Sequence, residues 1–509
     1  MPFESILFEK STGGERETFD QPAFFTDLNL DQVIERVTAN KRQYNLKPFY
    51  YTVLNDRDTI LYRQEIMRDL EGKNLFDAVE AFAQSMESLR ESHIQAGKLK
   101  CIRQKESWFL DSVEIYCGAV CALKEALEQT EIKSRGFLSL REYLDAYTGS
   151  EGFLSLMTGA KQLKADLSAV HYCVHINDNV VRVRKYESEE DLSACMLKTF
   201  ENFRQGAADD YIVSFREHTA ANSIEQKILD MLSRLYPGLF SALDRFCGNN
   251  RNYPDKTLAV FDREVQFYMA YLEYASGFKE AGLKFCYPEV TNKSKEIYNY
   301  KGYDIALAAN LAAGRTAVVC NDFFMERKER ILVVSGPNQG GKTTFARAFG
   351  QMHYLACIGC PVPGSAARLF LFDRLFTYFE KEEDSRGGGK LLDDLKRIRD
   401  ILSRATENSI IIINEMFHTA ALKDAVFLAG KVMEKIFKKD LLCVCVTFIV
   451  ELAGLYGKAV SMAGTVEPEK PDIRTFKIVR RPADGLAYAI TIAQKYGLTY
   501  DCLMERIKS

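Results

Sequence analysis

Apolar residues along this chain change their period a little past its middle. From about residue 25 to 170 they recur every three or four positions over long stretches that hold few prolines. LFDAVEAFAQSMESLRESHIQAG (75–97) and DSVEIYCGAVCALKEALEQ (111–129) each gather one apolar stripe, the pattern of a helix with a buried face. A short island of period two follows. HYCVHI (171–176) and VVRVRKY (180–186) flank Asn177-Asp178-Asn179, which predicts a hairpin with Asn/Asp turn chemistry. Helices resume near Ser223, which with Gln226 forms a capping box ahead of Ile228, Leu232 and Leu235. A further helix carries Val265, Tyr268, Met269, Leu272 and Ala275 on one face. After Pro288 strands alternate with helices, and the apolar runs 331–334 and 410–413 predict buried strands. The pattern therefore predicts a poorly ordered lead-in over 1–20, a mainly α-helical domain over 21–290 with a small hairpin at 171–186, and an α/β domain over 291–509.

At 509 residues the chain exceeds what one hydrophobic core supports. Its 47% hydrophobic and 27% charged residues are those of a soluble globular protein. A formal net charge of −3 argues against a strongly basic nucleic-acid coat protein and leaves room for a local basic groove. No apolar run reaches the roughly 18 residues of a membrane helix, and the N-terminus has no signal-peptide core, so no membrane partner and a cytoplasmic location are expected. Thirteen scattered cysteines fit reduced thiols. Cys357 and Cys360 lack a second ligand pair at zinc spacing and read as small core residues, as do Cys443 and Cys445 within a strand.

The most informative stretch is Gly336-Pro337-Asn338-Gln339-Gly340-Gly341-Lys342-Thr343-Thr344, which follows G-x-x-x-x-G-K-[ST] between a predicted strand and a predicted helix. Glycines at 336, 340 and 341 let backbone N–H groups curl around phosphate oxygens, and the helix N-terminus adds its dipole. Lys342 is expected to reach the β- and γ-phosphates of ATP, and the Thr343 hydroxyl to ligate Mg²⁺. The strand over 409–414 ends in Asn414-Glu415, where P-loop ATPases carry an Asp supporting Mg²⁺ and then a Glu orienting the attacking water. Glu415 with Lys342 forms the candidate catalytic pair; Asn414 joins Thr343 at the metal position.

GPNQGGKTT (336–344), IGCPVPGSAARLFLFDRLFTYF (358–379) and ILSRATENSIIIINE (401–415) resemble the ATPase domain of the MutS family of DNA mismatch repair proteins. Upstream, FFTDLNLD (24–31) and TILYRQEIMRDL (59–70) resemble the family's core domain, the long helices its levers, and DGLAYAITIAQKYGL (484–498) the segment closing its ATPase domain. The resemblance implies an ABC-type P-loop fold, ATP with Mg²⁺, and DNA as a partner. It also implies a homodimer, or a heterodimer with a related subunit, whose heads sandwich two nucleotides. No stretch resembles the family's mismatch-reading domain, the 187–220 stretch is short for a full DNA clamp, and no helix-turn-helix extension is seen. A divergent, short MutS-like protein is expected, distinct from a mismatch reader.

Several departures fall in the implied site. Asn414 replaces the family's aspartate, and Phe417-His-Thr-Ala-Ala421 its Gly-Arg-Gly-Thr-Ser, while Asp424 is kept. The signature Ser-Thr-Phe aligns with Gly389-Lys390-Leu391, so Gly389, with Gly387, Gly388 and Lys390, is the implied contact in trans to the partner's γ-phosphate. Phe448 replaces a histidine that contacts the γ-phosphate, and His418 is a candidate substitute. Two readings stay open: a slow ATPase that dimerises and clamps DNA, and a nucleotide-binding regulatory or scaffold protein without turnover. A third, an ATPase acting on structured RNA, shares the motifs. Lys98, Lys100, Arg103 and Lys105, and Arg182, Arg184 and Lys185 on the hairpin, form two basic clusters that suit phosphates or a solvated face.

Overall fold

A computed structural model of the chain describes residues 3–9, 17–177, 180–188, 223–313, 317–380, 390–418, 420–454, 457–467 and 470–482. Contacts gather into two units. One holds residues 72–132 and 137–262, the other residues 3–71, 133–136 and 263–509.

The first unit is helical. Helices α1 (Lys73–Lys98) and α2 (Ile102–Gln129) pack along each other across a three-residue link. The stripe Leu75, Val79, Phe82, Met86 and Leu89 of α1 is buried, as is Leu110, Val113, Cys117, Val120, Leu123 and Leu127 of α2. Helix α3 (Arg135–Thr148) follows, then α4 (Glu151–Ser168), capped by Ser150, whose hydroxyl accepts from the Phe153 N–H at 3.3 Å. Strands β1 (Tyr172–Asn177) and β2 (Val180–Lys185) form the expected antiparallel hairpin, with Val174 opposite Val183. Its turn residues 178–179, and the 189–220 part of the stretch compared with a DNA clamp, lie outside the described residues. Helices α5 (Ser223–Leu235), α6 (Pro237–Asn249) and α7 (Lys256–Glu280) come next.

The second unit is α/β. Strands β3 (Ile331–Ser335), β4 (Leu375–Tyr378), β5 (Ile410–Asn414), β6 (Leu442–Val446), β7 (Ala459–Glu467) and β8 (Lys470–Arg480) form one sheet in the order β4-β5-β6-β3-β7-β8. All neighbours are parallel except the last pair. Helices α8 (Lys342–Cys357), α9 (Lys390–Arg404) and α10 (Leu422–Lys438) belong to this unit. Every residue of β3 and β6 is buried, as continuous Val/Ile/Leu/Cys runs require of strands covered on both faces. A four-stranded sheet of Glu289–Thr291, Ala366–Phe370, Ile297–Gly302 and Asn321–Met325 stands beside it in the chain.

Two expectations change. Residues 3–8 are not a loose lead-in: Phe3, Ile6, Leu7 and Phe8 are buried. The Ser5 hydroxyl and the Ile6 N–H donate to Glu264 Oε2 at 2.7 and 2.9 Å, and Tyr268 Oη donates to the Ile6 carbonyl at 2.7 Å. Arg63, fully buried, reaches the Leu7 and Ile358 carbonyls at 3.2 and 3.1 Å and lies between the Phe8 and Phe267 rings. Nor do contacts divide near residue 290. Helix Arg57–Leu70 and the 263–280 part of α7 pack in the α/β unit, because their large apolar side chains are shared with its core. Cys357 and Cys360 are core residues as expected, and burial pushes the Cys357 thiol up to about 12. No helix among the described residues is long and apolar enough to cross a membrane.

His353, on α8, is fully buried and burial lowers its pKa to about 4. Its Nδ1 lies 2.8 Å from the Phe349 carbonyl, so the neutral ring carries its proton there, and Nε2 has no partner among the described residues. The unfolded chain binds a proton at this residue near 6.5 while the folded chain does not. Stability is therefore complete above pH 6.5 and falls as pH drops toward 4, by on the order of 3 kcal/mol from this group. Thermal unfolding from pH 7 to 4 should show a shallower acid-side fall for His353→Leu than for wild type.

Candidate functional site

The carboxyl ends of β3, β5 and β6 are held level by register. Val334 pairs with Val446, Val446 with Asn414, and the Thr447 N–H donates to the Val334 carbonyl at 3.0 Å. The chain leaving β3 must turn sharply at Gly336, whose φ is 134°. A Cβ there would lie 2.9 Å from the Gly464 nitrogen of β7, so only glycine fits. Gln339 and Gly341 also adopt positive φ, 58° and 89°, and curl residues 337–341 over the start of α8. No side chain among the described residues caps that helix at Gly341, which leaves its first N–H groups without a cap.

Lys342 folds back into the loop. Its ammonium donates to the Gly336 and Pro337 carbonyls at 3.0 and 3.1 Å and to Asn338 Oδ1 at 3.4 Å. Burial lowers its pKa below the ordinary lysine value; the Glu415 carboxylate opposes this and Arg474 adds to it. A buried cation at the start of a helix suits an oxyanion, which would take over bonds now made to carbonyls. Thr343 turns the other way, and its hydroxyl donates to Asn414 Oδ1 at 2.9 Å. The structure thus joins the Gly336–Thr344 loop to the Asn414-Glu415 strand end through one hydrogen bond. Both oxygens are neutral, so a divalent cation at this pair would need negative charge from another group.

Glu415 follows with φ 56°, its N–H donating to the Val446 carbonyl at 3.0 Å. The buried Met416 and Phe417 anchor the turn beyond it. His418 Nε2 lies 2.9 Å from Glu380 Oε1, so this ring is tied to a carboxylate. Phe448 is 48% exposed two residues past β6. Asp424 lies in the first turn of α10. Gly387, Gly388 and Gly389, and residues 484–498, lie outside the described residues, as does the Lys390 side chain.

The loop has neighbours that sequence reasoning missed. Between β7 and β8 the register shifts, leaving 475–477 to face Thr465 as a bulge. Phe476 sits at its crest with φ 56°, 48% exposed, its carbonyl 3.5 Å from where a Cβ of Gly341 would be. The Asn321 side chain pins the bulge, donating to the Phe476 carbonyl at 3.2 Å and accepting the Ile478 N–H at 2.7 Å. Thr475 Oγ1 donates to the Thr465 carbonyl at 2.8 Å. Nothing local in TFKIV announces a bulge.

The basic clusters fare differently. Arg103 donates to Glu106 and Asp244, both at 2.8 Å, and covers the Phe240 ring, so its charge is answered within the helical unit. On the hairpin, Arg184 meets His175 Nε2 at 2.6 Å, and the Lys185 ammonium lies over Tyr236.

Residues 332–506 match the family model described as MutS domain V. DNA mismatch repair protein MutS of Thermotoga sp. (strain RQ2) is 32% identical over 183 residues, which are 35% of this chain and 23% of that protein. The protein of the same name from Fervidobacterium nodosum is 25% identical over 299 residues, 57% of this chain and 35% of its own length. That from Lactobacillus gasseri is 30% identical over 228 residues, 43% and 26%. The matched stretches thus span about a quarter to a third of these relatives.

Gly336→Ala forces a Cβ against backbone that cannot yield, and should cost about 1–3 kcal/mol. Gly430→Ala, where a Cβ meets nothing within 4 Å on α10, should be neutral or slightly stabilising. Urea unfolding of the two variants beside wild type checks the contrast.

Proposed function

Since the chain belongs to the MutS family, we propose that it is a MutS-like ATP-binding protein, a slow ATPase that dimerises and binds or clamps DNA in repair or recombination. The observation that carries this reading is the Lys342 ammonium, buried in a glycine-turned loop and held by carbonyls that a phosphate would replace. Lys342 binds the β- and γ-phosphates, and the N–H groups of Asn338, Gln339 and Gly341 and of the first turn of α8 close around them. Thr343 and Asn414 stand where Mg²⁺ would be held; when bound, it neutralises phosphate charge. Glu415, positioned by the Val446 carbonyl, orients the attacking water.

Turnover is slow in this reading for three reasons. The Asn414 amide supplies an oxygen without charge, Phe448 has no group to donate to a phosphate, and Gly389 offers a partner only backbone N–H. Each lost contact of this kind typically costs about a hundredfold or more in rate. The partner that supplies Gly389 is a second copy or a related subunit with a fuller signature. Mismatch reading is not part of the proposal.

The second reading, nucleotide binding without turnover, rests on Asn414 and is separated by experiment. Wild type should bind ATP with Mg²⁺ in equilibrium dialysis, and Lys342→Ala should lose at least about tenfold in affinity. Glu415→Gln should keep binding while its phosphate release falls to background; equal release by wild type and Glu415→Gln makes the protein a binder only. Asn414→Asp, restoring the charge, should tighten Mg²⁺ dependence and raise turnover by about tenfold or more. Gel shifts with duplex and branched DNA against RNA, titrated with salt, test the nucleic-acid partner. Absence of any DNA complex at low salt removes the clamp.

A further inference from the structure

A cavity of about 760 Å³ runs along the outer edge of β4, the end strand of the six-stranded sheet, and none of its lining residues belongs to the 336–344 loop. The inner edge of that strand is spent: the Arg374 carbonyl accepts the Ile410 N–H at 2.9 Å, and the Asp373 N–H donates to Asn408 at 3.1 Å. Backbone groups of alternate residues in a parallel ladder face opposite edges, so Leu375 and Thr377 turn theirs outward, and no backbone group of the described residues answers them. An open strand edge is a template for another strand. The groove beside it is walled by residues 23–27 and by the second half of α9, with Phe24, Val53 and Ile401 giving it an apolar lining.

Charge selects what fits. Arg374 donates to the Arg404 carbonyl at 2.9 Å, and Arg397 to the Phe379 carbonyl at 3.2 Å while covering the Tyr378 ring. Neither guanidinium meets a carboxylate among the described residues. The acids of the groove are engaged. Asp27 accepts the Thr377 hydroxyl at 2.6 Å, Asp373 the hydroxyls of Thr406 and Ser409, and Asp400 pairs with Arg404 at 3.2 Å. Two guanidinium groups with no carboxylate partner among the described residues, an apolar wall and an open ladder edge together ask for a chain with its own N–H and C=O groups, alternating apolar and carboxylate side chains.

We propose that this groove is a docking site for an extended acidic segment of a partner protein, which adds as a strand to the edge of β4 and places carboxylates on Arg374 and Arg397. Main-chain bonds to Leu375 and Thr377 would supply register, and side chains on one face would enter the groove. A nucleic acid could answer the guanidinium groups but not the ladder edge, and the experiment separates the two.

Fluorescence anisotropy with a labelled Glu-Val alternating octapeptide tests the site on the full-length protein. Wild type should bind it, bind the Lys-Val counterpart at least about tenfold more weakly, and lose it when alternate peptide nitrogens are methylated. Arg374→Glu/Arg397→Glu, or the milder Arg374→Gln/Arg397→Gln, should weaken binding about tenfold or more when measured well below the thermal midpoint, which loss of the bonds to the Arg404 and Phe379 carbonyls lowers. No binding by wild type, equal binding by the double variants, or equal binding of the methylated peptide overturns the proposal. Displacement by duplex DNA together with indifference to methylation assigns the arginines to nucleic acid instead. All these readings are independent of ATP.

Discussion

Gly336 and Gly464 face each other across neighbouring strands with no room for a side chain on the first, and the candidate site is built outward from that contact. Because β7 lies so close, the chain leaving β3 cannot run straight on. It turns through φ 134°, and the turn is what lays residues 337–341 over the start of α8. Parallel pairing on the other side of β3 sets the depth of the same edge, bringing Asn414 level with Thr343. A lysine in such a turn has nowhere apolar to go and no carboxylate in contact. It therefore places its three donors on two backbone carbonyls exposed by the turn and on the Asn338 side-chain oxygen. Loop geometry and lysine position are one constraint seen twice.

The Thr343–Asn414 hydrogen bond also fixes which way the amide faces. Its oxygen accepts from the hydroxyl, so its NH₂ is the part left for other partners. An aspartate there would offer a second oxygen and a negative charge. Asparagine offers donors, which repel a cation and welcome an anion. The change from carboxylate to amide thus alters the polarity of this position and more than its strength.

The loop was legible because every residue that shapes it lies within nine positions, and glycine spacing encodes the turn directly. Asn414-Glu415 was legible as the end of an apolar run. Phe476, Asn321 and Arg474 were not, since their approach to the loop depends on a hairpin more than a hundred residues downstream and on a register shift that no local pattern records. Windowed polarity misled at the N-terminus: the charged and glycine-bearing stretch after residue 9 masks Phe3, Ile6, Leu7 and Phe8, whose destination is a helix far along the chain. Domain division failed for a related reason. Helical texture reports local hydrogen bonding, whereas a compact unit is defined by shared burial, and the helix at 57–70 buries its face in the α/β unit. Arg103 shows the limit of counting charges, because its two carboxylate partners come from different helices.

The anchoring of residues 3–8 by Glu264 has a consequence in time. The Ser5–Glu264 bond spans 259 residues. At a synthesis rate of about 5–20 residues per second, roughly 13–50 seconds separate the making of the segment from the making of its partner. Until then Phe3, Ile6, Leu7 and Phe8 have no core to enter, and the guanidinium of Arg63 has no Phe267 above it. Closing so long a loop comes late in folding. The α/β unit therefore cannot close around residues 3–8 until the helix that carries Glu264 has been made, and those side chains wait exposed in the nascent chain.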